Sequence, residues 1–364
     1  MSKSESIDRA AQKWDRHEKD KEEGVSTGLT WWDAGPAIDA HINQKITGDP
    51  DESWIDYTLR THFGDRLPVG EWLVLGCGNG HLERKLAALG AFDHCDAYDI
   101  SPHSIALASS RARQAGFQHI DYHVADVNEL ELPVGKYDTV WMSAAMHHFS
   151  ALEFVYGQLR QGLAPHGLLV MFEYVGPNRF QFSKRQKEVT NLCLQLLPER
   201  YRQVPPQAIE QALARGSARR GPGWYANRVM AKAREGDLLG VVHRRLVAYR
   251  AKISGQMPAK SSVTFPTESS VAADDPSEAV RSAELLTVLE ESFEVIEKRG
   301  AGGNIIQYLL KDIAGNFSAD DPDSQALVRM IQTVEDTLIQ CGEFEDDFAY
   351  VVARPRANPA IQQT

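Results

Sequence analysis

The sequence predicts an α/β fold built on a doubly wound, mostly parallel sheet, with an N-terminal helical cap and a helical insertion. Three observations support this prediction. Short apolar runs alternate with helical patterns of about ten to fifteen residues, which is typical of βαβ units. A glycine-rich turn joins the first of these runs to a helix. A basic block then interrupts the alternation in a chain that is acidic overall.

The composition is that of an ordinary globular protein, long enough for one large domain with additions or for two domains. The chain has 364 residues, of which 43% are hydrophobic and 24% charged, and its net charge is −11. An acidic protein is a poor non-specific binder of nucleic acid. The polar N-terminus and the absence of a long apolar run predict neither a signal peptide nor a membrane span. Four dispersed cysteines are typical of reduced thiols, so we predict a cytoplasmic location.

The predicted strands and helices follow one another in order. The first five strands are predicted at apolar runs: Trp72–Leu75, His94–Tyr98, Asp121–Val124, Thr139–Met142 and Leu168–Glu173. The helical patterns between them are Leu82–Leu89, Ser104–Ala115 and Ala151–Leu163. Beyond the basic block we predict a helix, a strand, an ambiguous segment, a helix and a last strand, at 277–293, 293–300, 304–313, 324–340 and 347–355. A final strand that breaks the alternation is typical of an antiparallel edge strand.

Charge and composition also predict the domain boundaries. Residues 184–260 carry 16 Lys and Arg against 5 Asp and Glu, a net charge of +11, so the rest of the chain sums to −22. The block lacks strand-like runs and is broken by Pro and Gly, so we predict that it forms helices over the site. The predicted domains are a helical cap, a core in two parts and a helical lid insertion: 1–66, 67–183 with 277–355, and 184–276.

The turn Gly76–Gly80 has the pattern G-x-G-x-G. A triphosphate loop would need Lys-Ser or Lys-Thr after the glycines, and a dinucleotide turn would need glycine where His81 stands. The N–H groups of this turn and of the following helix would instead face a carboxylate. A side chain at Gly80 would collide with the amino-acid tail of such a ligand.

Two acids and one strand end follow at the expected places. Asp99 lies 19 residues past Gly80, at the end of the next strand, where an acid hydrogen-bonds ribose hydroxyls. Ile100 beside it can pack on an adenine face, and Asp126, just past the third strand, can accept from an adenine amino group. The C-terminal end of the predicted fourth strand lies at Ser143–His148, and polar residues there can reach the site.

The segments VLGCGNG, AYDIS, VADV and YDTVWMSAAMHHF resemble those of class I S-adenosylmethionine-dependent methyltransferases, over about 67–183 and 277–355. The resemblance implies a Rossmann-like sheet of seven strands, one of them antiparallel, with S-adenosyl-L-methionine as cofactor and methyltransferase activity. It implies that the glycine turn holds the methionine part, Asp99 the ribose and Asp126 the adenine. The cofactor-binding residues predicted are Gly76, Cys77, Gly78, Gly80, Glu83, Asp99, Ile100, Asp126, Val127 and Ser143.

One position departs from the family, which usually has an acid two residues before the first glycine. This chain has Val74 there, so the cofactor's ammonium group needs another partner. Glu83, in the first turn of the next helix, can serve, or it can be a solvated residue that pairs with the helix dipole. More loosely, EYVGPNRFQF and HINQKITGDP look like bacterial methyltransferases found with surface-polysaccharide and secondary-metabolite genes.

Methyl transfer requires donor and acceptor in line, and a hydroxyl acceptor also benefits from a base, whereas a carboxylate needs none. The catalytic candidates follow the fourth and fifth strands: His147, His148 and Glu173. Each has a structural alternative, which is packing or helix capping for the histidines and a salt bridge to Arg179 or another Arg for Glu173. The residues predicted to bind the acceptor are Tyr174, Asn178, Arg179 and Trp31, and no metal site is predicted.

Three functions stay open at this point. The first is O-methylation of a small molecule or saccharide, and the basic insertion favours an anionic one. The second is N-methylation, or methylation of a macromolecule such as RNA. The third is a cofactor-binding subunit without activity. We predict a small-molecule or saccharide partner, no membrane span and no nucleic acid, and a homodimer is compatible with the sequence.

Overall fold

The protein contains one seven-stranded sheet in the residues that the computed structural model describes, which are Lys13, 36–204, 258–318 and 320–356. The strands are β1 Glu71–Leu75, β2 His94–Asp99, β3 Ile120–Val124, β4 Tyr137–Ser143, β5 Leu163–Tyr174, β6 Phe293–Gly300 and β7 Phe348–Pro355. Their order is β3-β2-β1-β4-β5-β7-β6. Strands β1 to β5 pair in parallel, while β7 runs antiparallel to both β5 and β6. The predicted sheet with one antiparallel strand is confirmed, but this strand, β7, lies between β5 and β6 and is not at the edge of the sheet as expected.

The helices connect these strands and cover both faces of the sheet. They are α1 Pro36–Thr47, α2 Trp54–Thr58, α3 His81–Ala88, α4 Pro102–Gln114, α5 Leu152–Gly162, α6 Lys184–Leu196, α7 Glu268–Asp274, α8 Leu285–Ser292, α9 Ile306–Leu310 and α10 Pro322–Gln340. A π-helical turn, Leu59–Phe63, extends α2. Several begin at a side-chain cap, such as Ser101 before α4 and Ser183 before α6. Among the described helices, none has the length and apolar stretch that a bilayer crossing needs.

The core consists of two layers, one on each face of the sheet, because neighbouring residues of a strand point to opposite faces. Trp72 and Val74 of β1 belong to one layer, and Leu73 and Leu75 belong to the other; all four are buried. The first layer is rich in aromatic side chains, and the rings of Trp72 and Trp141 stack with centroids 5.5 Å apart. Strands with apolar residues on both faces are typical of a sheet covered on both sides.

The described part of the N-terminal cap packs on the first of these layers. The ring of Trp54 lies 5.7 Å from those of both Trp141 and Phe172. Lys45 of α1 pairs with Asp336 of α10 at 2.6 Å, which fixes the helix against the end of the chain. Residues 36–63 therefore cover a face of the sheet, and Trp31 lies outside the described residues.

Two segments within the predicted lid insertion, 184–276, meet at one point. Gln203 bridges to Ala259, and the Val204 N–H donates to the Pro258 carbonyl at 2.9 Å. The Lys260 ammonium donates to the carbonyls of Tyr308, Leu309 and Lys311 and thereby caps α9. The predicted helix at the start of the block is present as α6. Residues 205–257 lie outside the described residues, so the lid stays a prediction.

One predicted helix is shorter than expected. The helical pattern of 277–293 begins as a helix only at Leu285, after a 3₁₀ turn at Ser282–Glu284. The Asp275 side chain accepts from the Ser277 N–H at 2.8 Å and from the Ser277 hydroxyl at 2.6 Å. This local turn competes with helix formation, as Asp and Ser side chains often do. It also turns the next residues toward the end of β4.

Candidate active site

The glycine turn lies at the C-terminal end of β1, and each of its three positions needs glycine for a different reason. All three have positive φ, from 53° to 78°. A side chain at Gly76 would collide with Ala145, which follows β4. A Cβ at Gly80 would lie 2.6–2.9 Å from Arg84, Tyr122 and Ala108, so the protein itself requires this glycine, and not only the ligand as predicted. Gly78 faces open space.

Asp99 ends β2 directly beside this turn. One carboxylate oxygen accepts from the Gly78 N–H at 2.9 Å, and the other accepts from the Ser101 N–H at 2.8 Å. The acid therefore fixes the shape of the glycine turn as well as standing at the predicted ribose position. Ile100 beside it is half-buried.

Asp126 follows β3 on the same edge of the sheet. Its Oδ1 accepts from the backbone and side-chain nitrogens of Asn128 at 2.9 and 2.8 Å. Its Oδ2 is buried and has no hydrogen-bond partner in the described residues. A buried acceptor left unpaired costs free energy, so this atom indicates a place for a donor from a ligand. Val127 beside it is buried.

Glu83 lies in the first turn of α3 and is completely buried. Neither carboxylate oxygen has a hydrogen-bond partner in the described part of the chain. Burial raises the pKa of Glu83 to about 7. Beside it, burial and the charges of Glu83 and Asp99 raise the pKa of the Cys77 thiol well above its usual range, which makes this thiol unreactive.

His147 and Glu173 form a buried pair between the ends of β4 and β5. Glu173 accepts from the N–H groups of Ala145 and Met146 at 2.7 and 2.8 Å, and His147 Nδ1 lies 2.9 Å from its second oxygen. A carboxylate only accepts, so the neutral imidazole of His147 carries its proton on Nδ1, and its Nε2 then has a lone pair and makes no hydrogen bond with the described residues. Burial lowers the pKa of His147, but the hydrogen bond and charge of Glu173, with the charges of Glu278 and Asp275, outweigh burial and raise it.

Three further charged residues complete the site from outside the strands. His147 Nε2 lies 3.6 Å from Glu278 Oε1, and the Lys13 ammonium lies 3.4 Å from Glu278 and 3.3 Å from Asp275. Burial raises the pKa of Glu278, but the charges that His148, His147 and Lys13 carry when protonated outweigh burial and lower that pKa. Burial also raises the pKa of Asp275, and the charges of Lys13 and of protonated His148 outweigh burial and lower that pKa. The described wall of the site is therefore acidic.

His148 lies beside this pair in a different environment. Its ring centroid is 4.3 Å from that of His147, and its Nδ1 is 3.1 Å from the Ser277 hydroxyl. Burial and the charge of His147 lower the pKa of His148 to about 4. His148 is therefore neutral at pH 7, and it is a weaker base than His147.

The residues predicted to bind the acceptor make mostly internal contacts. Tyr174 is buried and donates to the Pro177 carbonyl at 3.1 Å, and Asn178 accepts from the Ala283 N–H at 2.9 Å. The Arg179 guanidinium donates to the carbonyls of Asp275, Pro276 and Glu278, and it makes no salt bridge with Glu173. These contacts hold the segment after the insertion against the end of β5. An acceptor contact for these three residues stays a prediction.

The structure thus brings together the ends of five adjacent strands, as the motifs predicted. The glycine turn, Asp99, Asp126, His147 and Glu173 follow β1, β2, β3, β4 and β5 in that order, and Ser143 is the last residue of β4. Sequence reasoning missed Lys13, Asp275 and Glu278. The acidic run DDPSE beside a proline was the only local signal for two of them.

Comparison with known proteins agrees with this geometry. Residues 73–167 match the model of a family described as "Methyltransferase domain". The malonyl-[acyl-carrier protein] O-methyltransferase of Methylovorus sp. is 31% identical over 110 residues, which are 29% of this chain and 37% of that protein. The ubiquinone biosynthesis O-methyltransferase of Xanthomonas euvesicatoria pv. vesicatoria is 29% identical over 137 residues, 36% of this chain and 51% of that protein.

The chain therefore spans about a third to a half of the length of these curated relatives. Among solved structures, phosphoethanolamine N-methyltransferase 2 of Haemonchus contortus in complex with S-adenosyl-L-methionine is 15% identical, with a TM-score of 0.42, over 84% of this chain and 53% of that chain. The matched residues 73–167 contain the glycine turn, Asp99, Asp126 and His147. Residues 73–167 therefore contain a methyltransferase domain, and the sheet order and the row of polar strand ends agree with the fold of the class I S-adenosylmethionine-dependent methyltransferases.

Proposed function

We propose that this protein transfers a methyl group from S-adenosyl-L-methionine to an oxygen atom of a small molecule or saccharide. The observation that carries the proposal is the Glu173–His147 pair, which presents a proton-accepting Nε2 beside the predicted cofactor site. A hydroxyl acceptor needs such a base, whereas an already ionised acceptor does not. The names of the two O-methyltransferase relatives agree with this acceptor atom.

The residues at the strand ends fit the cofactor. Gly78 leaves open space where a side chain would stand, and the unpaired Asp126 Oδ2 can accept from the adenine amino group. Asp99 already presents a carboxylate at the ribose position, beside the glycine turn. The unpaired buried oxygens, both of Glu83 and Oδ2 of Asp126, are costly without a ligand and are balanced by one that carries donors.

The bound cofactor would supply an activated methyl group on its sulfonium. The protein's own residues then have two tasks. His147 Nε2 accepts the proton of the acceptor hydroxyl as the oxygen attacks the methyl carbon, and Glu173 holds the opposite ring nitrogen and stabilises the imidazolium that forms. The buried surroundings exclude water and strengthen this charge pair.

The charges in the described wall bear on the kind of acceptor. Asp275 and Glu278 lie at the base, with Lys13 as the cation that approaches them. Such a wall favours a neutral hydroxyl acceptor over a strongly anionic one. An anionic acceptor draws its support from the basic residues 205–257, which lie outside the described residues. The cytoplasmic location likewise stays a prediction.

The test is to incubate the purified protein with methyl-labelled cofactor and a metabolite extract of its host, and then to identify the labelled atom. Mild base releases a methyl ester as methanol, whereas a methyl ether or an N-methyl amine survives, and mass spectrometry separates these two. We expect an ether, formed faster as the pH rises through the pKa of His147. Label on nitrogen, or binding of cofactor with no labelled product from any extract, would contradict the proposal.

A further inference from the structure

Glu83 is a buried acid that the proposed chemistry leaves unexplained. Its side chain is completely buried, yet neither oxygen has a hydrogen-bond partner in the described chain. Its own backbone N–H and the Tyr122 hydroxyl lie close enough to lower the pKa of Glu83, but neither forms a hydrogen bond with it in the structure. A carboxylate in this state is costly unless a cation or a donor joins it.

The neighbours of Glu83 place it at the glycine turn. A Cβ at Gly80 would lie 2.7 Å from the Tyr122 hydroxyl, and the charge of Glu83 raises the pKa values of Tyr122 and Cys77. Asp99, which holds the Gly78 N–H, acts on the same Cys77 thiol. Glu83 and Asp99 therefore both lie beside the glycine turn.

Among the described residues, no cation forms an ion pair with Glu83. The charge of Arg84, on the same helix, lowers the pKa of Glu83, but its guanidinium donates to the Asn79 carbonyl at 2.6 Å. The other described titratable groups near Glu83 are Cys77 of the turn, Cys95 and Asp99 of β2, and Tyr122 of β3, and none of them is a cation. A ligand that carries a positive charge would balance this carboxylate.

We propose that Glu83 binds the ammonium group of the cofactor's methionine moiety and is the residue that balances its charge. The inference rests on the proposed cofactor site but not on the identity of the acceptor. It gives the first turn of α3 two roles, since the helix N-terminus favours the ligand's carboxylate and Glu83 its ammonium. It also accounts for the apolar Val74 near the end of β1, which cannot pair with the ammonium group.

The test compares two ligands that differ in the amino-acid part. S-adenosylhomocysteine carries the ammonium and carboxylate, and 5′-methylthioadenosine carries neither but keeps the adenosine and thioether. By titration calorimetry, we expect Glu83→Gln to weaken S-adenosylhomocysteine about 10- to 100-fold, the range for loss of a charged hydrogen bond, with 5′-methylthioadenosine changed less than about threefold. Decarboxylated S-adenosylmethionine keeps the amine, so its affinity for Glu83→Gln should fall by about as much as that of S-adenosylhomocysteine.

Proton release gives a second readout that a packing role would not change. The free protein has a pKa of about 7 at Glu83, and a bound ammonium group lowers it, so binding near pH 6.5 expels a proton from the wild type. Calorimetry in buffers of different ionisation enthalpy measures this proton. Glu83→Gln should release none from this position.

Two variants serve as controls. Glu335→Gln removes another fully buried carboxylate, which accepts from the N–H groups of Gly303, Ile305 and Ile306 away from the turn. It should lower stability without changing the ratio of the two affinities. Val74→Asp in the Glu83→Gln background returns an acid to the same buried layer and should restore part of the S-adenosylhomocysteine affinity.

The outcomes separate this inference from the proposed function. If the wild type binds S-adenosylhomocysteine and Glu83→Gln weakens both ligands equally, or neither, Glu83 is a structural residue and the inference is wrong. If the wild type binds neither ligand, the cofactor site itself is wrong and the inference fails with it. Thermal melting of each variant confirms that the fold is intact before affinities are compared.

Discussion

Replacing Glu173 by Gln tests the proposed chemistry at its most informative atom. The new amide oxygen can keep the bonds from the Ala145 and Met146 N–H groups, but the amide NH₂ then faces His147 Nδ1. Two donors cannot pair, so the imidazole must carry its proton on Nε2 instead. In that tautomer His147 has no lone pair for the acceptor proton.

The magnitude follows from the contacts that are lost. Removing a general base lowers turnover by about 10²- to 10⁴-fold, and we expect kcat to fall within that range. Losing the charged hydrogen bond to His147 should cost about 1.5–3 kcal/mol of unfolding free energy. Glu173 is not among the residues predicted to bind the cofactor, so we expect the affinity for the cofactor to change little.

The assay is kcat as a function of pH, with urea unfolding and calorimetric titration of S-adenosylhomocysteine as companions. Glu294→Gln is the matched control, because Glu294 pairs with Arg354 on the exposed side of β6. An exposed pair contributes at most about 1 kcal/mol, and its loss should leave kcat unchanged. If Glu173→Gln kept wild-type turnover and an unchanged pH profile, neither His147 as base nor Glu173 as its positioning residue would stand.

Three other predictions use the same site. The neutral form of His147 is the proposed base, and Glu173, Glu278 and Asp275 raise its pKa above 6.5. We therefore expect kcat/KM to rise with pH through a value above 6.5. An acidic limb of the pH profile centred below 6.5 would contradict the assignment. Asp99→Ala removes the acceptor of the two predicted ribose bonds, and also the hydrogen bonds that Asp99 accepts from the Gly78 and Ser101 N–H groups. At about 1.5–3 kcal/mol per charged bond, we expect S-adenosylhomocysteine to bind at least about tenfold more weakly, and an unchanged affinity by calorimetry would refute the predicted ribose role. Limited proteolysis should cut near 216–223, and cofactor together with substrate should slow the cleavage. Identical cleavage rates with and without ligands would refute the prediction that 184–276 forms a lid.

The sheet could be predicted because buried strands leave a strong local pattern. Strands β1, β4 and β5 contain apolar runs, and a strand covered on both faces needs such a run. Strands β2 and β3 are more polar, and their place between helical patterns indicated them. The same logic located Asp99, Asp126 and Glu173 at strand ends. It could not show that Glu173 pairs with His147 and two backbone N–H groups instead of Arg179, because that depends on the distance between β4 and β5.

The residues missed by sequence reasoning are those that only the tertiary structure brings to the site. Asp275 and Glu278 lie more than 100 residues beyond His147 in the chain, and Lys13 lies more than 100 before it. Nothing local distinguishes them from solvated acids and bases at a helix end. Glu83 is the opposite case, since its position in the first turn suggested an ordinary dipole-pairing residue and its complete burial indicates otherwise.

The junction of Val204 and Pro258 holds the two described ends of the segment 205–257 within one hydrogen bond of each other, 2.9 Å long. Lys260 fixes the second of these ends through the carbonyls of Tyr308, Leu309 and Lys311. Closing so small a gap needs only a short turn. We therefore expect that a short linker can replace the 53 residues 205–257 while the seven-stranded sheet and its row of polar strand ends stay folded.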